Sequence, residues 1–475
     1  MNTPVRSGTL PSDLRSVALG SLLGLAILKF GNPVILEQQI GVPGPLTEWI
    51  SRPWPVRIGL ILFAILACVF LLRSNTLSRL RQSNLPGWIT WPLASWAGWQ
   101  IVSSFGTVDS TLTSLTLPHL LSVGAAFIMG VLAAQTRWQP LLFGLAAGSI
   151  LCWLQAVNQH TVEFRVARDM LLTGEQAGWT NITPAELQSL RENHLVIQTN
   201  GVDVANPVIL DKLRRARVHG TLVYPNALAG LVALTFPVLL VVAWLRTGSM
   251  RPLIRVLLLA LLSFLALGSL YWSGSRSGWL IAVALVAVSI GRIPTLQRYR
   301  LILTLAFGVS GLVFFAIRNA GYLGKGATSV AARFDYWKAA ARIALDNPVL
   351  GSGPGTFMRP YAQLKPPDAE MARLVHNDYL QQFSDSGLPG GILYVTWIGG
   401  TLIWIWKRQG RTCDPVVWAL LIGTTGWFAQ GLSEFGLYVP ALAWTGFTFL
   451  GILAGLPRQI ASTPDNSTPH PPSGS

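Results

Sequence analysis

Two side chains at the ends of apolar runs stand out for the chemistry they offer. Arg276 lies in Ser-Gly-Ser-Arg-Ser-Gly-Trp-Leu between two long apolar runs, and His376 follows a hundred residues later in His-Asn-Asp-Tyr-Leu-Gln. Ionisable groups near membrane depth are costly and usually mark a function. A guanidinium binds anions and an imidazole accepts protons near neutral pH, so the pair predicts chemistry on a lipid-linked anion.

Each arginine in this region has a functional and a structural interpretation. Gly274 and Gly278 flank Arg276 and allow a ligand or another backbone to approach closely; alternatively, Arg276 snorkels from a helix end to the headgroups. Arg217 lies earlier in the chain, just before the apolar run that begins near residue 223. Its guanidinium could form paired hydrogen bonds with phosphate oxygens. The alternative for Arg217 is a solvated basic face, shared with Lys212 and its neighbours, that is attracted to anionic lipid.

His376 begins a short helical pattern over residues 376–386, with Gly387 as the predicted C-terminal stop. The positive end of the helix dipole disfavours an imidazolium there, so a neutral general base is expected. The alternative is a histidine that caps its own helix or bonds a headgroup. Glu434 is either a partner that holds an arginine in place or a boundary residue in water. The glycine-rich stretch 351–355 more often reverses a chain than binds phosphate.

The composition identifies the elements that must position these residues. The 475-residue chain is 51% hydrophobic and only 12% charged, about half the charge of a soluble protein. Its mean hydropathy is +0.47. An all-α, polytopic membrane helix bundle is therefore predicted, because unpaired strands have no backbone partners in lipid.

The sequence predicts twelve membrane spans at about 20 residues each. They cover residues 16–36, 57–73, 85–104, 117–135, 138–157, 223–245, 253–273, 277–292, 301–317, 388–406, 415–432 and 437–456. With the N-terminus in the cytoplasm, every predicted inner loop carries a basic residue, whereas outer segments 105–116 and 433–436 carry none. This positive-inside bias predicts cytoplasmic N- and C-termini.

The resulting organisation has six parts: N-terminal membrane helices 1–157, an outer segment 158–222, central membrane helices 223–317, an outer segment 318–387 with the histidine motif, C-terminal membrane helices 388–458, and a disordered cytoplasmic tail 459–475. Within the first outer segment, Thr183 followed by Pro184 predicts a helix start. Within the second, apolar spacing predicts a helix over 329–345 that ends at Asn347-Pro348.

Several functional classes are disfavoured by the sequence. The net charge of +15 is spread in short clusters between apolar runs, without the basic stripe and interleaved aromatics of a nucleic-acid-binding protein. No His, Cys or carboxylate spacing predicts a metal site. The main alternative from another class is a secondary transporter of a small anion. Against it, the charged candidates lie at the outer boundary and not at the midplane where transporters bind.

Four motifs in order resemble those of the O-antigen ligase and Wzy polymerase superfamily of bacterial envelope glycosyltransferases. They span about residues 210–390. The motifs are Arg217-x-x-Gly220-Thr221 with Pro225-Asn226; Ser275-Arg276-Ser277-Gly278, with Leu280 completing Arg-x-x-x-Leu; Arg333-x-x-x-Trp337 followed by Asn347-Pro348-x-x-Gly351-x-Gly353; and His376-Asn377-x-Tyr379-Leu380-Gln381 with Gly387.

The resemblance implies a GT-C-like glycosyltransferase of the bacterial inner membrane. Its active site would face the periplasm and take an undecaprenyl-diphosphate-linked glycan as donor and a lipid or glycan as acceptor, with no cofactor, metal or nucleotide. By the same resemblance, Arg217 and Arg276 bind the diphosphate and His376 activates the acceptor hydroxyl. Substrate-binding roles are expected for Arg333, Asn377 and Tyr379. Asp385 stands where many relatives have a glutamate, two residues before Gly387, and by that resemblance would help to hold the reacting groups in place.

Overall fold

The computed structural model of the protein describes residues 12–72, 76–83, 85–290, 298–318, 328–409 and 414–457. Most of these residues are helical, and many of the helices are apolar along most of their length. The chain is therefore an all-α, multi-pass membrane protein, as its composition predicts. The expected disordered tail 459–475 lies outside the described residues.

A helix coincides with each of the twelve predicted spans. These helices are α1 (Ser12–Lys29), α3 (Val56–Leu71), α5 (Gly87–Ser104), α6 (Ser110–Ala134), α7 (Leu141–Asn158), α11 (Pro225–Arg246), α12 (Pro252–Ser273), α13 (Arg276–Ile290), α14 (Arg300–Arg318), α17 (Asp378–Gln409), α18 (Pro415–Gln430) and α19 (Pro440–Gly455). Among the described residues, six helices are long and apolar enough to cross a membrane by length and composition, and three more are apolar but shorter. Twelve crossings therefore stay a prediction.

The remaining elements lie between these helices. They are the short helices α2 (Leu46–Ser51), α4 (Thr76–Gln82), α8 (Phe164–Gln176), α9 (Pro184–Glu192), α10 (Pro207–Arg215) and α16 (Met358–Leu364), the longer helix α15 (Thr328–Asp346), and strands β1 (Val196–Thr199) and β2 (Val202–Ala205). The strands pair antiparallel, with Val196 opposite Ala205.

Helix α7 does not end where a loop was expected at residue 158. It continues through a π turn (Gln159–Glu163) directly into α8. Helices α8, α9 and α10 and the β1–β2 hairpin then enclose a small core of their own around Leu171 and Trp179. The predicted start of α9 is confirmed: Thr183 caps the helix and forms a reciprocal capping box with Glu186.

Glycine pairs bring the membrane helices into close contact. A Cβ added to Gly24 of α1 would lie 2.2 Å from the carbonyl oxygen of Gly144 in α7, and Gly20 and Gly148 are equally close to the facing helix. Small residues four apart allow this backbone approach, which stabilises helix pairs in lipid by packing alone.

Hydrogen bonds show which segments lie at each end of the helix bundle. At one end, Ser16 near the start of α1 bonds the Arg137 carbonyl, and Gln135 bonds the carbonyl of Gly455 at the end of α19. At the opposite end, Thr221 bonds the Ile27 carbonyl at the end of α1. The N-terminal end of α1 and the C-terminal end of α19 therefore share one end, and the loop that contains Arg217 lies at the other.

Candidate active site

Glu434 occupies the centre of the site, in the short connection between α18 and α19. Its Oε1 accepts hydrogen bonds from Arg333 at 2.5 Å, from Asn226 Nδ2 at 2.8 Å and from Ser277 Oγ at 3.4 Å. The Glu434 side chain is only 8% exposed. One buried carboxylate thus joins the start of α11, the start of α13, helix α15 and the α18–α19 connection.

Arg217 is fixed by two hydrogen bonds from its guanidinium. Nε donates to the Ser273 carbonyl at 2.8 Å, and Nη2 donates to Asn226 Oδ1 at 3.1 Å. Because Asn226 donates in turn to Glu434, it bridges the two charged residues. The Arg217 residue keeps solvent access, yet surrounding protein partly desolvates its guanidinium. That desolvation, followed by the positive charge of Arg276, lowers the pKa of Arg217.

Arg276 is the first residue of α13 and follows a tight turn at Gly274, whose φ is +58°. A Cβ at Gly274 would lie 3.3 Å from Nε of Arg217. The turn therefore brings the Arg276 backbone next to the Arg217 side chain. Of the charged groups acting on Arg217, Arg276 has the largest effect, so the two positive charges lie close to each other.

His376 lies beside the second oxygen of Glu434. The distance from His376 Nδ1 to Glu434 Oε2 is 3.6 Å, and the histidine side chain is 29% exposed. Phe435 contacts the ring edge-to-face at 4.7 Å between centroids, and Tyr336 stacks on it at 5.9 Å. The backbone φ of His376 is +54°, a left-handed conformation that is uncommon outside glycine and often found at functional sites.

The helix after His376 begins two residues later than the pattern predicts. Asn377 Oδ1 accepts from the backbone N–H groups of Tyr379 and Leu380, which makes Asn377 the capping residue. His376 therefore precedes the helix. The predicted stop at Gly387 is confirmed as a break, with φ of +68°, after which the chain continues as a helix to Gln409.

Asn377, Asp378 and Tyr379 direct their polar atoms at the segment that carries Glu434. Asn377 Nδ2 donates to the Leu432 carbonyl at 2.9 Å, and the Tyr379 hydroxyl donates to the Phe428 carbonyl at 2.9 Å. Asp378 Oδ2 accepts from the Leu437 N–H at 3.0 Å. These bonds hold the α18–α19 connection in place. Substrate binding by Asn377 and Tyr379 stays a prediction, and their contacts favour a positioning role.

Asp385 lies fully buried, away from the arginines. Its Oδ2 accepts from the Tyr438 hydroxyl at 2.7 Å and the Gly355 N–H at 2.8 Å, and its Oδ1 accepts from Gln381 at 2.9 Å. Asp385 therefore joins the glycine-rich turn to α17. In the same turn, the N–H groups of residues 351, 352 and 353 bond backbone carbonyls. These bonds support a structural turn and leave those N–H groups unavailable to phosphate.

The local charge balance is positive. The guanidinium groups of Arg217, Arg276 and Arg333 lie near Glu434, and the carboxyl of Asp378 lies close enough to Glu434 to interact with it electrostatically. Burial raises the pKa of the Tyr224 phenol, and the nearby positive charge of Arg373 opposes that rise. Within the described ranges, no group of three or more His, Cys, Asp or Glu side chains is arranged to hold a metal ion. Together these arginines can bind a ligand with more than one negative charge.

Residues 261–395 match the family model described as O-antigen ligase. The chain carries an O-antigen ligase domain. At the level of this family, it is a membrane enzyme of glycan ligase or polymerase type. No curated protein matches the chain.

The O-antigen ligase domain includes Arg276, Arg333 and His376, whereas Arg217 and Glu434 lie outside the matched range. The sequence leaves Glu434 either as a partner for an arginine or as a boundary residue, and the structure places it against Arg333. The sequence assigns no role to Asn226 beyond its motif. Asn226 and Glu434 are 208 positions apart, so only the fold reveals their contact. The available signal was a polar side chain directly after the proline that begins α11.

Proposed function

We propose that the protein transfers a glycan from an undecaprenyl-diphosphate carrier to an acceptor hydroxyl on the periplasmic side of the bacterial inner membrane. The reaction inverts the anomeric carbon and needs no metal ion. The supporting observation is the shared carboxylate: Glu434 contacts Arg333 directly, Arg217 through Asn226, and His376 on its other oxygen.

The arginines bind the diphosphate. Arg333 forms an ion pair with Glu434 at 2.5 Å, which compensates the charge of that guanidinium. Arg217 is anchored instead by a neutral amide and a backbone carbonyl, so its charge is still available to an anion. Donors fixed before the reaction stabilise charge that develops on the leaving group, without reorganisation during the step.

His376 is the general base. A carboxylate that faces Nδ1 favours the tautomer with its proton on Nδ1, which leaves Nε2 able to accept a proton. The 3.6 Å separation between Nδ1 and Glu434 Oε2 is longer than a hydrogen bond. Such contacts commonly tighten only when substrate is bound. Asn377, Asp378 and Tyr379 fix the segment that carries Glu434 and thus position the pair.

The transfer is a single displacement. The acceptor oxygen forms a bond to the anomeric carbon while its proton moves to Nε2 of His376. The bond from that carbon to the diphosphate oxygen breaks, and undecaprenyl diphosphate leaves with the electron pair. Attack from the face opposite the leaving group inverts the sugar configuration.

The membrane arrangement follows from the two ends of the bundle. The site lies at the end opposite the start of α1 and the end of α19, and the basic residues between spans favour cytoplasmic termini. We therefore assign the site to the periplasmic side, within a GT-C-like bundle of twelve spans. We propose the division into parts 1–157, 158–222, 223–317, 318–387 and 388–458, with the helix that joins α7 to α8 running across the first boundary.

The test is transfer by purified protein in nanodiscs, with an undecaprenyl-diphosphate-linked glycan and candidate acceptors, in buffer with and without a chelator. We expect equal turnover in both buffers and a product of inverted configuration. A retained anomer contradicts the single displacement, and loss of turnover on chelation contradicts metal independence. Uptake of a small anion into liposomes without a glycan donor would instead support a secondary transporter.

A further inference from the structure

An open, basic pocket lies beside the candidate active site, between the π turn before α8 and the end of α10. Its volume is about 410 Å³. Three arginines line it, Arg165, Arg168 and Arg214, together with His160, Phe164 and Leu213. No carboxylate contributes to the lining. None of these residues belongs to the diphosphate-binding cluster proposed above.

The charges in this pocket are incompletely balanced. Arg168 pairs with Asp169 at 2.8 Å on its own helix. Within the described part of the chain, no carboxylate oxygen lies within 4.0 Å of the Arg165 or Arg214 guanidinium. Arg165 donates to the Thr161 carbonyl one turn earlier in the chain. Glu163 in the same turn accepts instead from Gln155 at 2.9 Å.

The pocket wall adjoins the segment that carries Arg217. The last residue of its wall, Ala216, directly precedes Arg217. Gln159 in the π turn accepts from the N–H groups of His219 and Gly220 and donates to the Gly220 carbonyl, at 2.9–3.0 Å. The backbone around Arg217 is thus clamped to the pocket wall. Isolated π turns within helices frequently occur at functional sites.

The aromatic groups extend the same wall. His160 stacks on Trp272 with centroids 4.6 Å apart and an interplanar angle of 14°. The next residue, Ser273, accepts the Nε–H of Arg217 at 2.8 Å. A molecule that lies between the pocket and the active site can therefore contact both guanidinium groups and aromatic rings. Such a lining combines charge recognition with apolar contact.

From this lining we infer that the pocket binds a saccharide unit bearing a carboxylate or phosphate, within the glycan that reaches the active site. The inference rests on the proposed function. Guanidinium groups bind carboxylate and phosphate through paired hydrogen bonds, and Phe164 and Leu213 contact the apolar face of a sugar ring. The enzyme therefore selects an acidic glycan as donor or as acceptor.

The test compares wild-type protein with the double variant Arg165→Gln/Arg214→Gln in nanodiscs. The donor arm uses a uronic-acid-containing lipid-diphosphate glycan, or its carboxyl-reduced form, with a neutral acceptor. The acceptor arm uses a neutral donor with a uronic-acid-containing acceptor or its carboxyl-reduced form. We expect wild-type protein to prefer the acidic form in one arm. In the variant, KM for that substrate should rise about ten- to hundredfold while kcat stays unchanged. The neutral form should react equally well with both proteins.

Lys212→Gln is the matched control, because Lys212 lies on α10 but does not line the pocket. It should leave both preferences unchanged. Equal use of acidic and neutral forms by wild-type protein in both arms overturns the inference. A second result also overturns it: a defect of the double variant that appears in nanodiscs with phosphatidylglycerol but not in those with phosphatidylcholine alone. The ligand of the pocket would then be a lipid headgroup.

A binding measurement separates this inference from the proposed function. Titration calorimetry with a short oligogalacturonate and its carboxyl-reduced form needs no turnover. We expect wild-type protein to bind the acidic form and the double variant to bind it at least tenfold more weakly. If the wild-type protein binds the acidic form in this way but shows no transfer activity, the proposed function is refuted while the inference about the pocket stands. Equal affinity of both proteins for the acidic form refutes the pocket.

Discussion

The substitution Glu434→Gln removes the negative charge at the centre of the site but keeps the size and shape of the side chain. The Oε1 atom of the introduced amide can still accept from Arg333, Asn226 and Ser277, so those three contacts survive. The amide nitrogen, however, faces Nδ1 of His376, which is 3.6 Å from the present Oε2. An N–H donor at that position favours the histidine tautomer with its proton on Nε2, the atom proposed to act as the base.

The expected loss is therefore much larger for catalysis than for stability. Removing one partner of a buried ion pair costs about 3–5 kcal/mol. Because the contacts persist and Arg333 is still 18% exposed, we expect a fall in stability of about 1–2 kcal/mol. A positioned base contributes about 10²–10⁴-fold in rate. The wrong tautomer should lower kcat by about 10²–10³-fold, or about 3–4 kcal/mol of barrier.

The assay is glycan transfer under substrate saturation, together with thermal unfolding of the same preparation. Glu48→Gln is the matched control, because Glu48 also pairs with an arginine, Arg52 at 3.1 Å, on a short helix away from the site. Arg52 of that pair is 66% exposed and Glu48 27%, so water screens the pair, and activity and melting temperature should stay near those of the wild type. A folded Glu434→Gln protein that retains kcat within twofold of the wild type would refute the orientation of His376 by Glu434.

Three further substitutions test the neighbouring groups with the same two measurements. Arg276→Lys should lower kcat/KM at least tenfold because lysine cannot form a paired contact with phosphate; near-normal transfer would contradict that contact. His376→Ala should abolish transfer, whereas His194→Ala, which alters an exposed histidine with a similar φ of +56°, should not. Asp385→Asn should destabilise the fold by about 1–3 kcal/mol, since one amide cannot accept from both Tyr438 and Gln381; an unchanged melting temperature would contradict the network.

The sequence predicts elements that depend on neighbouring residues. Apolar runs of about 20 residues locate a helix at each predicted span because lipid imposes that length. The start of α9 follows from Thr183 and Glu186, whose capping contacts lie within one turn. The break at Gly387 follows from a residue that adopts positive φ without strain. In each case the residues that determine the feature lie within a short stretch of the sequence.

Features that depend on distant residues were not predictable in this way. The β1–β2 hairpin has two strands of four residues with mixed burial, too short for a clear alternating pattern. The extension of α7 past residue 158 is supported by packing of α8 against α10 and the hairpin. The role of Asp378 in holding the α18–α19 connection depends on a contact 59 positions away. In these cases tertiary contacts decided the outcome.

The arrangement around Glu434 explains how a strongly positive site keeps its geometry without substrate. Three like charges close together repel, and each side chain would otherwise turn towards water. The carboxylate compensates one guanidinium, and Asn226 fixes another without neutralising it. A fully neutralised cluster would hold the same shape but would have little affinity for diphosphate. Glu434 therefore orders the cluster while Arg217, held by Asn226, keeps its positive charge, which is the combination that preorganised transition-state stabilisation requires.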